Sequence, residues 1–344
     1  MRVVTQRAFG GVEQLVEEDW PLPVPGPGEV RVRIRAASFN PVDVLFRRGG
    51  FGGQLPQVLG RDLSGVVDAL GEGVTGLAVG DEVLCYRGGQ GSNGSHAEYT
   101  CVPAVLVVPK PGRLGFAEAA ALPVVALTAW QCVTRARVRK GEAVFVAGGA
   151  GGVGSMALQL LRHFGASPIL TTAGSDASAD YLVKHLGVEP GCILRYRGRT
   201  PEQLLADVLA MSGGRLVPVA LDFVGGTMKE LCFAVTAVDG RVVSIVEEPT
   251  DSSFNLWDET RSPLILRSLE FHFIQLGARA RYAPRETWKV YREQLETLSW
   301  FVEEGALRLP AVRTVGPLSA ATAREAHRLL EEGRVQGKLV MECG

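Results

Sequence analysis

The sequence predicts an α/β protein of two domains. One is a doubly wound parallel sheet of about six strands; the other is a β-rich, barrel-like domain that the first interrupts in sequence. Three observations predict it. A strand, a glycine-rich turn and a helix follow one another at 144–164; strands and helices alternate after them; many short strands separated by turn residues come before them. A chain of 344 residues exceeds one ordinary core and suits two.

In the first third, Val30, Val32, Ile34 and Ala36 alternate with Arg31, Arg33 and Arg35. Period-two alternation marks a strand with one buried face, and the arginine side reads as a solvated face rather than an anion site. Pro21, Pro23, Pro25, Gly26, Pro27 and Gly28 mark a rigid surface loop before it. Further short strands are predicted at 65–70, 82–86, 97–102 and 105–108, parted by Gly- and Asp-bearing turns. The small residues of 88–95 form a loop that either borders a substrate site or simply connects strands.

Helices are predicted at 116–122 and 128–135, with Pro123 as punctuation between them. The strand at 144–147 leads to a helix at 155–164, whose apolar stripe is Met156, Ala157, Leu160, Leu161 and Phe164 and whose end is Gly165. Strands at 169–172, 192–194, 217–222, 241–246 and 269–276 follow, with helices at 179–185 and 202–211. That alternation predicts a parallel doubly wound sheet. Pro168 is tolerated because it opens its strand. A long helix at 286–304 closes the region. The tail adds a strand (311–315), a helix (320–332) and a last strand (338–341) that rejoins the first domain. The predicted domains are therefore 1–123 with 308–344, and 124–307.

Within 144–161 the pattern Gly149-x-Gly151-x-x-Gly154 is the dinucleotide fingerprint. Gly149 permits a tight turn, Gly151 lets the main chain approach a pyrophosphate, and Gly154 lets helix and strand pack closely. The helix start, with Gly152 and Val153, then turns free N–H groups and a positive dipole end toward the phosphates. Glycine-rich loops are common, but this one has the required strand before it and helix after it.

The net charge of −1 and a charged fraction of 21% exert no general pull toward nucleic acid or anionic membrane. The first residues lack the apolar run of a signal peptide, and no apolar stretch is long enough to span a bilayer. The expectation is a cytoplasmic protein. Six scattered cysteines without a C-x-x-C pair argue against a disulfide framework or a metal knuckle, and read as small buried hydrophobes.

Several stretches together carry a resemblance. They are Ala37-Ser38-Phe39-Asn40-Pro41-Val42-Asp43, Leu59-Gly60-Arg61-Asp62-Leu63-Ser64-Gly65-Val66-Val67, Val79-Gly80-Asp81-Glu82-Val83 and Gly94-Ser95-His96-Ala97-Glu98-Tyr99. Ala121-Leu122-Pro123 with Leu127-Thr128-Ala129, the fingerprint, Leu221-Asp222-Phe223-Val224-Gly225-Gly226, Gly240-Arg241-Val242-Val243 and Gly337-Lys338-Leu339-Val340 complete the series. In this order the chain resembles the medium-chain dehydrogenase/reductase superfamily over nearly its whole length, in particular its zinc-free quinone oxidoreductase-like branch. The resemblance implies a Rossmann domain and a discontinuous GroES-like domain.

Zinc-dependent relatives place a cysteine and a His-Glu pair where this chain has Asn40 and Arg61-Asp62, and carry a four-cysteine lobe where it has Cys85 and Cys101 alone. Catalytic zinc needs three ligands of Cys, His or carboxylate type. Asn40 and Arg61 cannot serve, and none of His96, His163, His185, His272 and His327 has a partner at ligand spacing. No metal is expected. His272, between Phe271 and Phe273, reads as a strand histidine.

NAD-binding folds end the second strand with an acid that accepts from the ribose 2′-OH. Here Thr171-Thr172-Ala173-Gly174-Ser175-Asp176 puts small residues at that tip. Ser175 can donate to a 2′-phosphate; Ser178 stands where resembling proteins usually have a lysine. Tyr196, flanked by Arg195 and Arg197, resembles the family's phosphate clamp and offers compensating charge, although the arginines also read as plain loop charges. Asp176 dissents: it either turns outward or favours NAD. The expected cofactor is NADPH rather than NADH. The resemblance adds Asn40, Thr128, Val246, Phe273 and Lys338 to the cofactor-binding residues.

With no Ser-His-Asp or paired-carboxylate signature, the cofactor carries the reaction and the protein orients it. The resemblance implies hydride transfer to a quinone or to the β-carbon of an enone or enoyl thioester. Charge then develops on the substrate oxygen and needs donors in a dry cleft between the domains. Asn40 is the first candidate donor. Asp43 either orients it, or orients a proton-delivering water, or caps the helix that follows. Thr128 either lies near the nicotinamide or starts a helix. Leu45 stands where quinone reductases often have a tyrosine, which leaves room for a rival reading: a crystallin-like or membrane-associated nucleotide binder with little catalysis. A homodimer through the strand at 269–276 is the family's arrangement.

Overall fold

Burial of one face of the Val/Ile strand organises the first half of the chain. Val30, Val32, Ile34 and Ala36 are fully buried, while Arg31 reaches outward to Asp68 at 2.6 Å and Arg33 is exposed. The fold is that of a computed structural model describing residues 1–88, 93–248, 254–333 and 335–344. The expected loop at 88–95 falls partly outside those residues. The chain folds as two compact units, Met1–Leu127 with Leu276–Gly344, and Thr128–Gln275.

The first unit begins with β1 (Arg2–Gln6), β2 (Leu15–Asp19), β3 (Glu29–Phe39), α1 (Pro41–Arg48), β4 (Gln57–Val58), β5 (Asp62–Leu70), β6 (Glu82–Tyr86), β7 (Tyr99–Pro103) and β8 (Val107–Pro109). The helix α2 (Phe116–Ala120) follows, then α3 (Pro123–Ala136). Pro123 marks the boundary between two helices as expected, but the second starts at it rather than at 128. It opens α3, where a missing N–H costs nothing because first-turn donors have no helical acceptor.

The second unit adds β9 (Val144–Ala147), α4 (Gly152–His163), β10 (Ile169–Ala173), α5 (Asp176–Lys184), β11 (Ile193–Arg195), α6 (Pro201–Met211), β12 (Val217–Asp222), α7 (Thr227–Val235), β13 (Thr236–Ser244), α8 (Pro263–Leu266) and β14 (Glu270–Phe273). Its six strands run in the order β11-β10-β9-β12-β13-β14, all pairs parallel. Phe145, Leu170, Ala220, Phe233 and Val242 belong to its core. The helix α7 is absent from the sequence reading because it has almost no polar face: Met228, Lys229, Leu231, Cys232, Phe233 and Val235 are all buried.

The chain then returns through α9 (Ala278–Tyr282), α10 (Lys289–Glu303), β15 (Val312–Pro317), α11 (Ala320–Glu331) and β16 (Lys338–Glu342). The return starts at Leu276 rather than at 308, because α10 packs on β8 and the 3-10 turn before it. The last strand lies antiparallel on β3, with Leu339 opposite Phe39 and Val340 opposite Ser38. This register sets the end of β3 beside the start of β16. The first unit holds a seven-stranded sheet, in which β7 pairs with β3, and the three-stranded sheet β2-β1-β4.

Candidate active site

At the C-terminal end of β3 the chain stops being a strand and Asn40 caps α1. Asp43, three residues on, accepts a hydrogen bond from the Asn40 backbone N–H at 2.8 Å. Of the roles expected for Asp43, capping is therefore present in the structure, and its carboxylate does not touch the Asn40 amide. That amide is engaged elsewhere. Asn40 Nδ2 donates to Asp62 Oδ2 at 2.9 Å, and Asn40 Oδ1 accepts from Lys338 Nζ at 2.6 Å.

Asp62 is the hub. Its Oδ2 also accepts from Ser38 Oγ at 2.7 Å, and its Oδ1 accepts from the Val124 backbone N–H at 2.8 Å, capping α3. Lys338 also donates to the Phe39 carbonyl at 2.9 Å and lies 3.5 Å from Asp62. Asn40, Asp43, Asp62, Ser38 and Lys338 are all buried. Burial pushes the Asp62 and Asp43 carboxyls up and the Lys338 ammonium down; Lys338 opposes the shift at Asp62, and Arg61 opposes it at Asp43. Three donors converge on the Asp62 carboxylate and the Lys338 ammonium faces it, an arrangement that favours the ionised pair over the neutral one. Around this centre, the Arg61 guanidinium lies 4.0 Å over the Phe46 ring and donates to the Gly88 carbonyl at 3.0 Å. Phe46 lies in α1, and Leu45 is 41% exposed.

In the other unit the glycine turn is shaped differently from the expectation in one respect. The left-handed residue is Gly148 (φ 89°), whose N–H donates to Thr172 Oγ1 at 2.9 Å. Gly149 is required by close packing instead, since a β-carbon there would collide with Thr171 Oγ1. A β-carbon on Gly154 would collide with the Gly148 carbonyl, as expected for helix–strand packing. On Gly151 it would meet nothing nearer than 3.5 Å, so this residue's open side faces away from the protein. The helix α4 begins at Gly152, a turn earlier than predicted, which puts the N–H groups of Gly152, Val153 and Gly154 in its first turn. The cradle fits a pyrophosphate.

Past the tip of β10, Ser175 caps α5, accepting from the Ser178 N–H at 3.1 Å, and the two hydroxyls are 2.9 Å apart. The ring of Tyr196 lies so close to Gly174 that a β-carbon there would strike its hydroxyl. Asp176 is paired with Arg195; Arg197 is exposed. Ser175, Ser178 and Tyr196 thus share one edge of the sheet. The Val246 carbonyl accepts from the buried Lys229 ammonium, which also pairs with Glu248 at 2.6 Å. Phe273 ends β14, 43% exposed. Thr128 is buried within α3 and does not start a helix. His272 is a strand residue, 3.3 Å from Glu270.

The donor set at Asn40, Arg61 and Asp62 does not fit zinc. Among the described residues no group of three or more His, Cys, Asp or Glu side chains converges to hold a metal, and the Asp62 carboxylate already faces an ammonium. Sequence reasoning named Asn40 and Lys338 but missed Asp62 and Ser38 as their partners. The available signal was a carboxylate opening an apolar strand, Asp62-Leu63-Ser64-Gly65-Val66-Val67.

Family models for an alcohol dehydrogenase GroES-like domain and a zinc-binding dehydrogenase match residues 26–112 and 196–341. A 2-methylene-furan-3-one reductase of Solanum lycopersicum is 31% identical over 351 residues, spanning 99% of this chain and 79% of that protein. The chain belongs to the medium-chain dehydrogenase/reductase superfamily. It is an oxidoreductase of that superfamily, with the fold its members share. A segment of another relative, the phthioceranic/hydroxyphthioceranic acid synthase of Mycobacterium tuberculosis, is 34% identical over 89% of this chain, which spans only 14% of that protein's length. Among solved members, an NAD-dependent alcohol dehydrogenase superposes with TM-score 0.85 at 36% identity over 100% of both chains. A mycobacterial protein complexed with NADPH superposes with TM-score 0.86 at 28% identity over 99% of both.

Proposed function

We propose that the protein is a zinc-independent, NADPH-dependent reductase that delivers hydride to a quinone or to the β-carbon of an α,β-unsaturated carbonyl compound. The observation that carries the reading is the Asn40–Asp62–Lys338 network: a buried amide donor held by an ion pair stands where zinc-dependent relatives hold their metal. The glycine cradle of 148–154 would hold the pyrophosphate, and Ser175, Ser178 and Tyr196 the adenosine end. Bound there, the reduced nicotinamide supplies the hydride.

The protein's own part is electrostatic. As hydride arrives at carbon, negative charge grows on the substrate oxygen, and Asn40 Nδ2 is a neutral donor already desolvated and fixed. The tomato reductase supports an enone acceptor by its name. The NADPH complex supports the cofactor, while the NAD-dependent neighbour supports the alternative. We further place the protein in the cytoplasm, acting on a small molecule and not on nucleic acid or membrane, as a homodimer through β14. Its near-zero net charge fits this, and no helix among the described residues is long and apolar enough to cross a membrane.

NADPH oxidation against a panel of quinones, enones and enoyl-CoA esters, with and without chelator, tests the reading. Turnover on at least one class, insensitive to chelator, is expected. Saturable NADPH binding without turnover would favour the non-catalytic rival, and inhibition by chelator would overturn zinc independence. A lower Kd for NADH would reverse the cofactor, and a monomeric mass by light scattering would exclude the dimer.

A further inference from the structure

An amide side chain has two faces, and only one of them helps a developing oxyanion. The Asn40 carbonyl would repel it; the amide nitrogen would bind it. The choice between them is made by Lys338. An ammonium carries donors only, so the group 2.6 Å from Lys338 Nζ has to be the amide oxygen. The nitrogen then lies toward Asp62 Oδ2, at 2.9 Å, where a carboxylate accepts one of its two hydrogens. One hydrogen remains.

Lys338 is itself held. It donates to the Phe39 carbonyl, one residue before Asn40, and its remaining charge faces Asp62. The antiparallel register of β16 on β3 is what brings it there. A lysine whose hydrogens are spent on Phe39, Asn40 and Asp62 is poorly placed to reach a cofactor phosphate.

We propose that Lys338 is a positioning residue: with Asp62 it locks the orientation of the Asn40 amide, so that a single N–H is presented to the substrate. The inference rests on the reading of Asn40 as a donor given above, but it has a readout of its own.

In 15N-labelled protein, the Asn40 side-chain amide, assigned by its loss in Asn40→Ala, should give one slowly exchanging hydrogen, the one held by Asp62, and one that exchanges faster. Lys338→Met should abolish that protection, and Lys338→Arg, which again offers only donors, should restore it. Kinetically, Lys338→Met should lower kcat about 100-fold, the scale of a misplaced catalytic group, with the Kd for NADPH unchanged. The Asn40→Ala/Lys338→Met double variant should be no slower than Asn40→Ala alone. Should Lys338→Met fail to fold, Lys338→Gln carries the same test, because a neutral amide no longer dictates which end of Asn40 it meets.

Unchanged amide protection in these variants would overturn the proposal. So would a Kd for NADPH that rises when Lys338→Met is added to the wild type and rises equally when it is added to Asn40→Ala, which would make Lys338 a cofactor ligand. If the wild type reduces no acceptor, the functional reading falls while amide exchange still decides the positioning role.

Discussion

Around Gly148–Gly154 the working surface is main chain, uncharged and local, with consecutive residues folding one turn against β10 and α4. Around Asn40 the working surface is side chain and buried charge, drawn from the ends of β3, β5 and β16. A main-chain site fails when an atom is added, because nothing there can move aside. A buried charge network fails when an atom is removed, because the partner left behind is desolvated and unpaired. The two sites are therefore broken by opposite kinds of substitution.

Gly154→Val should have the largest effect on cofactor binding. Its branched side chain would enter space held by the Gly148 carbonyl, which is backbone and cannot rotate away. A cost of about 3 kcal/mol or more is expected, together with a fall in NADPH affinity of at least about 100-fold. Gly151→Ala sharpens the point. The protein has room for that methyl, so affinity should fall while the urea midpoint stays put. A Gly154→Val protein with wild-type Kd would remove the cradle from the argument.

At the charged site, Asp62→Ala should cost about 3–5 kcal/mol by urea denaturation, the range for a broken buried ion pair. It strands Lys338 and uncaps α3 at Val124. Asp62→Asn should cost less, because a carbonyl remains for Val124. Equal losses for the two variants would mean that the ion pair contributes little.

A third buried group separates charge from polarity. His96 and His327 flank Phe39, and burial pushes them down to about 4 and about 3. In the unfolded chain each titrates near about 6.5. Below that pH the unfolded state binds protons that the folded state refuses, so their contribution to stability falls as pH drops. For the two rings together the loss reaches about 4 kcal/mol by pH 5. In His327→Gln the slope of stability against pH between 6.5 and 5 should become shallower by about 1 kcal/mol per unit. An unchanged slope would show that His327 is already charged in the native state.

Much of this was legible before the structure, and the limit has a physical cause. The six strands of the second unit and their parallel order follow from alternation, and the cradle from consecutive glycines. The reason for Gly149 was not legible, because Thr171 approaches it from the next strand. Nor was the Asn40–Lys338 contact, whose partners stand 298 residues apart and meet only through the pairing of β16 with β3. Local chemistry is written locally; a charge network depends on register, which no single stretch contains.

The smallest effect expected lies at the tip of β10, where the local and the assembled meet. Asp176 is the acid that argued for NAD, and in the structure Arg195 pairs with it. A carboxylate neutralised in this way no longer repels a 2′-phosphate, while Ser175 and Ser178 stay beside it. Both partners are largely exposed, so the pair contributes little to stability. Its effect should show in cofactor choice instead. Asp176→Asn should free Arg195 for the phosphate and tighten NADPH by a few-fold, leaving NADH nearly unchanged. Arg195→Gln should leave Asp176 unpaired and move the NADPH/NADH ratio of Kd values the other way, by a similar factor. Both shifts should shrink in high salt, since exposed charges are screened. If Asp176→Asn instead weakened NADH alone, Asp176 would be serving as a ribose ligand, and the acid at the strand tip would be favouring NAD after all.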